Sequence, residues 1–514
     1  MTATQTEVHL AEVIGSLALA TDLATGQPLE HGLRRTLLAV WLGEELGLDG
    51  EELSTAFYVA LLGSVGCVLD GAAFADYVRD EIELRKEMTL LDPSKSMDIV
   101  SLFLRRTGQG DPPLSRLKKI VKISRESQTV CRDVALHVGG LLDLGPEVRG
   151  ALGQCDEHWN GSGGNLGLQG EEIHLAARLF ILSQDVEVFS RAGGIDAATA
   201  MVKQRAGRVY DPKLAERFLS VGPGLVERMQ SVSAWEAVMD AEPSPLRTLT
   251  SGEFDEVARK VANFIDVRCP DTVGHSTGVA RLAQGAAREL HLSETEATQL
   301  KQAGLLHDLG RAGVPASFWN RKTALNDEQW QRMQRHPSLT ELVLARSSSL
   351  GHLGTLAGLH HERLDGSGYR GVMASALPVA ACVLAAADAY QTKLEPRPHR
   401  EALTREHAAA LMRGEAARGR LDAEAVEAVL AADGQPRIEA PRDLPAGLSE
   451  REVEVLRLIV RGMSNRQVAD ALVLSPKTVG HHIESIYAKA GVSTRVGATL
   501  FAVQHGLIGE SDLS

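Results

Sequence analysis

AGLLHDLGRAGVP, residues 303–315, sets a histidine and an aspartate side by side, His307 and Asp308, directly after an apolar pair. Outward from it, further polar clusters stand at His275, His336, His360 with His361, and Asp388. The intervals between clusters run from 24 to 32 residues. Each fits one helix plus a connection, so several helices of a bundle can aim donors at one centre. A lone buried histidine is more often a hydrogen-bonded core residue, but seven nitrogen and oxygen donors in this order argue for a metal. None is a cysteine, and seven exceed what one tetrahedral zinc requires. Two metals sharing a bridging carboxylate are expected.

Composition agrees with a bundle. The 514 residues are 44% hydrophobic and 24% charged, which is globular and long enough for three or four domains. Aromatic residues make up only 4%, Ala and Leu abound and β-branched runs are short, so the predicted fold class is all-α. A net charge of −13 supplies no global positive field, and any contact with nucleic acid falls to a local patch. Cys67, Cys131, Cys155, Cys269 and Cys382 lack CxxC spacing and are expected to be reduced core residues. The N-terminus has no basic leader region, and no window approaches about eighteen uninterrupted apolar residues. A soluble, cytoplasmic protein with no membrane partner is expected.

HDLGRAGVP at residues 307–315 and HHERLDGSGYRG at residues 360–371 resemble the paired signatures of the HD-GYP branch of the HD phosphohydrolases. GHS at residues 274–276 and AAADAYQ around Asp388 fall in the family's order. The resemblance covers about residues 252–432. It implies a helical fold with two or three divalent transition metals, iron or manganese, that hydrolyses cyclic dinucleotides such as cyclic di-GMP. By motif position the ligands would be His275, His307, Asp308, His336, His360, His361 and Asp388, with Asp308 the bridge. His307, Asp308 and Arg311 would carry catalysis, with attack of a metal-activated water on phosphorus. Asp271, four residues before His275, is read on the same helical face, where some members place a ligand for a third metal. Arg311 stands where the family has lysine, and Arg311 and Arg397 are the candidate phosphate clamps. The family's GYP is Gly368, Tyr369, Arg370 here, without the proline, and its DALT segment has become Gln391, Thr392, Lys393.

An earlier part of the chain repeats this order. PLEHGLRRTLLAVWLGEELGL around His31 parallels TVGHSTGVARLAQGAARELHL around His275, and the 32 residues from His31 to Gly63 equal those from His275 to His307. EHWNGSGGN then answers HERLDGSGYR, and Asp185 stands opposite Asp388. The donors, however, are gone. Gly63 and Ser64 replace His307 and Asp308, Cys155 and Asp156 replace His360 and His361, and Cys131 lies opposite His336. His31 and Asp185 alone are too few for a metal cluster. A degenerate copy is expected, kept for dimerisation or sensing, with a boundary in the Pro- and Ser-rich residues 241–254.

From Leu448 the pattern changes to short capped helices. Ser449 with Glu452 and Ser464 with Gln467 form capping boxes, and Ser475 precedes Pro476 as N-cap and N1. Val455, Leu456, Ile459, Val468, Ala469, Leu472, Val479, Ile483 and Ile486 are the expected core. Lys477, Thr478, Gly480, His481 and Ser485 are left on the outer face of the third helix, where a recognition helix meets the major groove. Residues 448–507 hold seven basic and five acidic side chains, a balance of +2. The stretch closely resembles the LuxR-type C-terminal helix-turn-helix. That resemblance implies double-stranded promoter DNA as partner and a homodimer formed through the last helix.

The expected architecture is two tandem HD-type helical domains, degenerate at residues 1–245 and metal-bearing at 246–433, then a linker at 434–447 and a four-helix LuxR-type domain at 448–514. The expected function is a one-component transcriptional regulator in which a phosphodiesterase or sensor domain, taking a cyclic dinucleotide or related phosphoester, controls the DNA-binding domain. The alternative is a catalytically inactive metal- or nucleotide-binding receptor. Turnover separates the two.

Overall fold

A computed structural model describes residues 8–71, 78, 80–89, 91, 100–102, 113–321, 323–398, 400–437, 444–505 and 507. The chain divides into two compact units, Met1–Pro436 and Arg437–Ser514. Both are helical, as expected. A two-residue antiparallel pairing of Val8–His9 with Thr248–Leu249 is the sole sheet among the described residues.

The large unit places its helices by matching local chemistry at corresponding points of its two halves. Helix His31–Glu45 and helix His275–Glu289 each follow a residue in the left-handed region, Glu30 at φ 75° and Gly274 at φ 82°. In each half a buried aspartate accepts the backbone N–H at the second helical position: Asp22 from Gly32 at 3.0 Å and Asp266 from Ser276 at 2.9 Å. The next helices, Gly50–Leu62 and Glu294–Leu306, both begin in capping boxes, Asp49 with Glu52 and Ser293 with Glu296. Chain direction on either side of each candidate site is thereby fixed by the same satisfied N–H groups.

No break in packing marks residue 245. One apolar core runs from Leu10 to Leu430, and polar contacts stitch the halves together within it. Ser347 donates to Glu12 at 2.7 Å, and the Ala316 N–H donates to Glu81 at 2.8 Å. Buried Arg268 donates to the carbonyls of Val68, at 2.6 Å, and Val314, at 2.9 Å. The two halves therefore fold as one unit rather than as beads on a string. Residues 438–443 of the expected linker lie outside the described residues.

The small unit has its own core of Val455, Leu456, Ile459, Val468, Ala469, Val479 and Ile486, with Leu472 and Ile483 packed on it half-buried. Its helices are Glu450–Val460, Asn465–Leu472, Pro476–Ala490 and Arg495–Gln504. Ser449, Ser464 and Ser475 cap the first three as the sequence predicts.

Candidate metal centre

The donors arrive from separate elements that the bundle brings to one point. His275 opens its helix, His307 and Asp308 follow the last turn of Glu294–Leu306, and His336 opens His336–Leu344. His360 and His361 lie just beyond Gly351–Ala357, while Asp388 projects from the middle of Val379–Leu394. Asp308 sits at the centre. Its Oδ2 faces His307 Nε2 at 3.4 Å and His275 Nε2 at 3.7 Å; its Oδ1 faces His336 Nε2 at 3.4 Å and His360 Nε2 at 3.8 Å. Asp388 repeats the division, with Oδ1 3.2 Å from His275 Nε2 and Oδ2 3.4 Å from His361 Nδ1. Two ligand groups result, His275 with His307 and Asp308, and His336 with His360 and His361.

The imidazoles are oriented for metal. Nδ1 of His307, His336 and His360 each donates to a backbone carbonyl three residues earlier, of Gly304, Met333 and Ala357, at 2.6–2.7 Å. A carbonyl only accepts, so the proton is on Nδ1 and the Nε2 lone pair points inward. His275 Nδ1 is held instead by Glu395, at 3.0 Å. These outer contacts fix ring orientation in the manner of metal-bound histidines. His307 Nε2 is buried with no hydrogen-bond partner among the described residues. His336 Nε2 and His360 Nε2 face each other at 3.2 Å, two lone pairs with no proton between them.

Electrostatics keep His336, His360 and the two carboxylates in their ligating form, whereas Asp388 and Glu395 overcome burial and raise His275 to about 10, so that imidazole gives up a proton when it binds a metal. Burial lowers His336 to about 4 and His360 to about 3, so both are neutral near pH 7. Burial opposes ionisation of Asp308, but its surroundings, with the Arg311 guanidinium in direct contact, outweigh it and hold its carboxyl well below the usual range. Asp388 is likewise ionised, His361 and His275 overcoming its burial. Facing lone pairs beside ionised carboxylates form a site suited to divalent cations.

In the small unit, helix Pro476–Ala490 presents Lys477 and His481 to solvent, with Thr478 and Gly480 half-exposed and Val479 fully buried beneath them. Glu452 braces this helix. It closes the capping box at Ser449 and also accepts from Ser485 at 2.6 Å and Lys489 at 2.7 Å.

Known proteins resemble the chain in both regions. Residues 259–425 match the HD domain family, and residues 446–502 match the bacterial regulatory proteins of the luxR family. The chain carries an HD domain and a LuxR-family domain. Over 425 residues it is 29% identical to the 3'3'-cGAMP-specific phosphodiesterase 3 of Vibrio cholerae, covering 80% of this chain and 92% of that protein. It is 33% identical over 209 residues to the cyclic di-GMP phosphodiesterase response regulator RpfG of Xanthomonas campestris, covering 40% of this chain and 55% of that one. A crystal structure of a cyclic GMP-AMP specific phosphodiesterase of Vibrio cholerae, V-cGAP3, superposes with a TM-score of 0.58 at 26% identity, over 83% of this chain and 98% of that one. The first and last of these similarities extend well beyond the HD domain.

Within the HD domain, two readings from sequence are corrected, the helical face of Asp271 and the free guanidinium of Arg311. Asp271 does not share a helical face with His275. It lies on the short turn Pro270–Thr272, and the left-handed Gly274 separates that turn from the helix. Arg311 does not present a free guanidinium. It is buried, donates to Asp308 Oδ2 at 2.9 Å and lies over the Trp319 ring at 4.1 Å. Arg397 pairs with Glu395 at 3.1 Å, one step from His275. In the LuxR-family domain, Ser485 is turned inward to Glu452 rather than outward, because that carboxylate needs donors once it is buried.

Sequence reasoning missed Glu395, which orients His275. No local pattern marked it, because it lies just past the end of Val379–Leu394 in extended backbone. It also missed Glu362, whose carboxylate accepts the N–H groups of Arg370, at 2.8 Å, and Val372, at 2.7 Å, and folds the Gly368–Tyr369–Arg370 loop without the family's proline. Tyr369 thereby lands with its ring 4.4 Å from that of His361. Gly368 is required here, since a Cβ would come within 2.5 Å of Glu362 Cα.

The first half shows why its donors could be lost. Buried Arg35 donates to Ser64 Oγ at 2.8 Å and Gln184 Oε1 at 2.6 Å, with its guanidinium 4.6 Å from the Phe180 ring. Phe180 also presses on Gly63, where a Cβ would lie 2.3 Å from it. An internal cation and an aromatic ring fill the space beside the positions aligned with His307 and Asp308. Asp185 is paired with Arg205 and with the Tyr210 hydroxyl. Arg35→Ala is expected to destabilise the large unit by about 3 kcal/mol, since it strands buried acceptors as well as leaving a void; chemical denaturation followed by circular dichroism reads this directly.

Glu452 gives a pH test of the smaller domain. Burial resists its charge, but Lys489, Ser449 and Ser485 prevail and lower it to about 2. A carboxylate depressed on folding stabilises above its unfolded pKa of about 4.3, and that stability is lost as pH falls from there through about 2. Glu452→Gln is expected to cost on the order of 1–3 kcal/mol at pH 7 and to flatten the acid limb of the melting profile.

Proposed function

We propose that the chain is a metal-dependent phosphodiesterase acting on cyclic dinucleotides and that its HD domain controls DNA binding by the LuxR-family domain. The observation that carries this reading is the facing pair of His336 and His360 lone pairs beside Asp308, whose two oxygens serve two histidine groups. His275, His307 and Asp308 would hold one ion, and His336, His360 and His361 the other. Asp308 spans both, and Asp388 offers one oxygen to each side. Divalent ions bound there would supply Lewis acidity and water of lowered pKa.

The chain's own residues prepare that chemistry. Arg311 orients and charge-balances Asp308, and Glu395 fixes the tautomer of His275. Glu362 sets the loop that puts Tyr369 against His361. The substrate class rests on the relatives, of which the one aligned over 92% of its length is named for 3'3'-cGAMP. The manganese-loaded full chain, incubated with 3'3'-cGAMP and with cyclic di-GMP, is expected to give linear dinucleotides by chromatography. Tight nucleotide binding without product would leave the receptor reading instead.

For DNA, Lys477, Thr478, Gly480 and His481 form the reading face, and the partner is double-stranded promoter DNA. Helix Arg495–Gln504 leaves Val496, Leu500 and Val503 at 69%, 64% and 52% exposure, on one face by their spacing. A second copy of the chain covers that stripe in a homodimer. Lys477→Ala is expected to weaken operator binding and to reduce the slope of log affinity against log salt by about one unit, measured by fluorescence anisotropy at several salt concentrations. Control by the HD domain predicts that operator affinity changes when the nucleotide is added to the wild type and not to a metal-ligand variant.

A further inference from the structure

Cys67 and Cys131 lie outside the metal centre and outside every role assigned so far. Their sulfurs are 3.5 Å apart, although 64 residues separate them in the chain. The approach is built in. Cys67 sits on the 3-10 turn Val65–Val68, and the turn's Gly66 lies flat against the long helix Pro113–Leu141, where a Cβ would come within 2.0 Å of the Cys131 carbonyl oxygen. Both thiols are half-buried rather than sealed. Asp70 Oδ2 accepts from Cys131 Sγ at 3.3 Å and from Ser127 at 2.6 Å, and its other oxygen is paired with Arg85.

These ligand atoms could in principle hold a metal, since Cys67, Asp70 and Cys131 cluster closely. Charge argues otherwise. Arg85 already neutralises Asp70, so a cation would displace a buried guanidinium and would still find only three protein donors among the described residues. A dithiol needs no such displacement, because two sulfurs in van der Waals contact reach bonding distance by small side-chain rotations.

We propose that Cys67 and Cys131 are a redox modification site: a two-electron oxidant of the peroxide or small-disulfide class closes them into a disulfide, and closure loosens the metal-bearing half. With a peroxide, the Cys67 thiolate attacks one oxygen, the O–O bond breaks, and Cys67 sulfenic acid and hydroxide form. Cys131 sulfur then attacks the sulfenic sulfur as its proton passes to Asp70, and the S–O bond breaks to release water once the leaving oxygen is protonated. Two thiols and one peroxide thus give one disulfide and two waters, the sulfurs losing two electrons and the peroxide gaining them.

The route to the metal half is short. Cys67 adjoins Val68, whose carbonyl receives Arg268, and the same guanidinium holds Val314 at the end of the turn that begins at Asp308. Drawing the Val65–Val68 turn toward Cys131 moves one of the two carbonyls that Arg268 clamps. This second part rests on the proposed metal site; formation of the disulfide does not.

The test uses the full-length, manganese-loaded protein poised in glutathione buffers of stepped redox ratio, a disulfide oxidant that spares the metals. Peptide mapping is expected to find Cys67 joined to Cys131, with Cys155, Cys269 and Cys382 still alkylatable. Release of manganese to a chelator should become on the order of tenfold faster after oxidation, the lower range for loss of a support around metal ligands, and Cys67→Ser should abolish the response. Free thiols at Cys67 and Cys131 under oxidising buffer would overturn the proposal, as would stoichiometric zinc protecting both from alkylation. A disulfide that leaves the release rate unchanged would overturn the coupling. Failure of the wild type to hold manganese at all would instead count against the metal site, and the mapping result would still stand on its own.

Discussion

Full-length protein carrying His307→Ala with Asp308→Ala is expected to lose both ions together, by at least about 100-fold in affinity, since loss of a mere supporting contact already costs 10- to 100-fold. The reason is geometric. Asp308 Oδ1 and Oδ2 face different histidine groups, so one deletion removes a donor from each ion and the charge that offsets both. Cyclic dinucleotide hydrolysis should fall to background with them. Asp308→Asn, which keeps volume and a hydrogen-bond acceptor for Arg311, separates ligation from folding; it should stay folded by circular dichroism and still bind no metal pair. Because the first half offers Arg35 and Phe180 where these donors stand, no iron or manganese is expected to remain in either variant. Elemental analysis of the purified proteins checks this, and metal content equal to wild type would remove the assignment.

Val479→Asp is expected to unfold the LuxR-family domain. Val479 is fully buried against Val455, Leu456 and Val468 in a small separate core. Placing an unpaired carboxylate there costs on the order of 4 kcal/mol or more, while a core of this size supplies only about 3–5 kcal/mol in all. DNA binding should vanish while the large unit keeps its metals and its hydrolysis. The triple variant Lys477→Ala, Thr478→Ala, His481→Ala should lose DNA binding too, but in a folded domain, because those side chains lie outside the core. Calorimetry distinguishes the cases by the presence or absence of the small unit's transition. Full operator affinity in the folded triple variant would exclude this helix as the reader.

What the sequence made legible follows from how local each signal is. The histidine and aspartate clusters that converge around Asp308, the capping boxes at Ser449 and Ser464 and the N-cap at Ser475 are short patterns visible without tertiary information. Glu395 is different. Its function appears only when the fold brings it to His275, 120 residues away, and its sequence surroundings, KLEPRP, read as a loop. Arg35 was equally opaque, because a charged residue at that helical position reads as solvent-facing until Ser64 and Gln184 close on it. Asp271 was misread for a local reason, since spacing alone implied a continuous helix that Gly274 interrupts. Ser485 was misread for a tertiary one: helical periodicity put it outside, and the buried Glu452 carboxylate of another helix drew its hydroxyl inward. Arg311 combined both, its motif position suggesting substrate and its burial committing it to Asp308.

The division between halves shows the same limit. The repeated landmarks were visible in order, yet nothing in them revealed that Arg268, Glu81 and Glu12 would tie the halves into one core. In the second half the donors converge on paired lone pairs that call for cations; in the first, Arg35 supplies the positive charge from the chain itself.

Electron paramagnetic resonance of the full chain loaded with manganese tests the central claim most directly. Two ions sharing the Asp308 carboxylate should give a broadened, spin-coupled spectrum at two manganese per chain, and the coupling should disappear in Asp308→Asn. A six-line spectrum of isolated manganese at one ion per chain, unchanged by that substitution, would contradict a bridged pair and with it the chemistry proposed for this site.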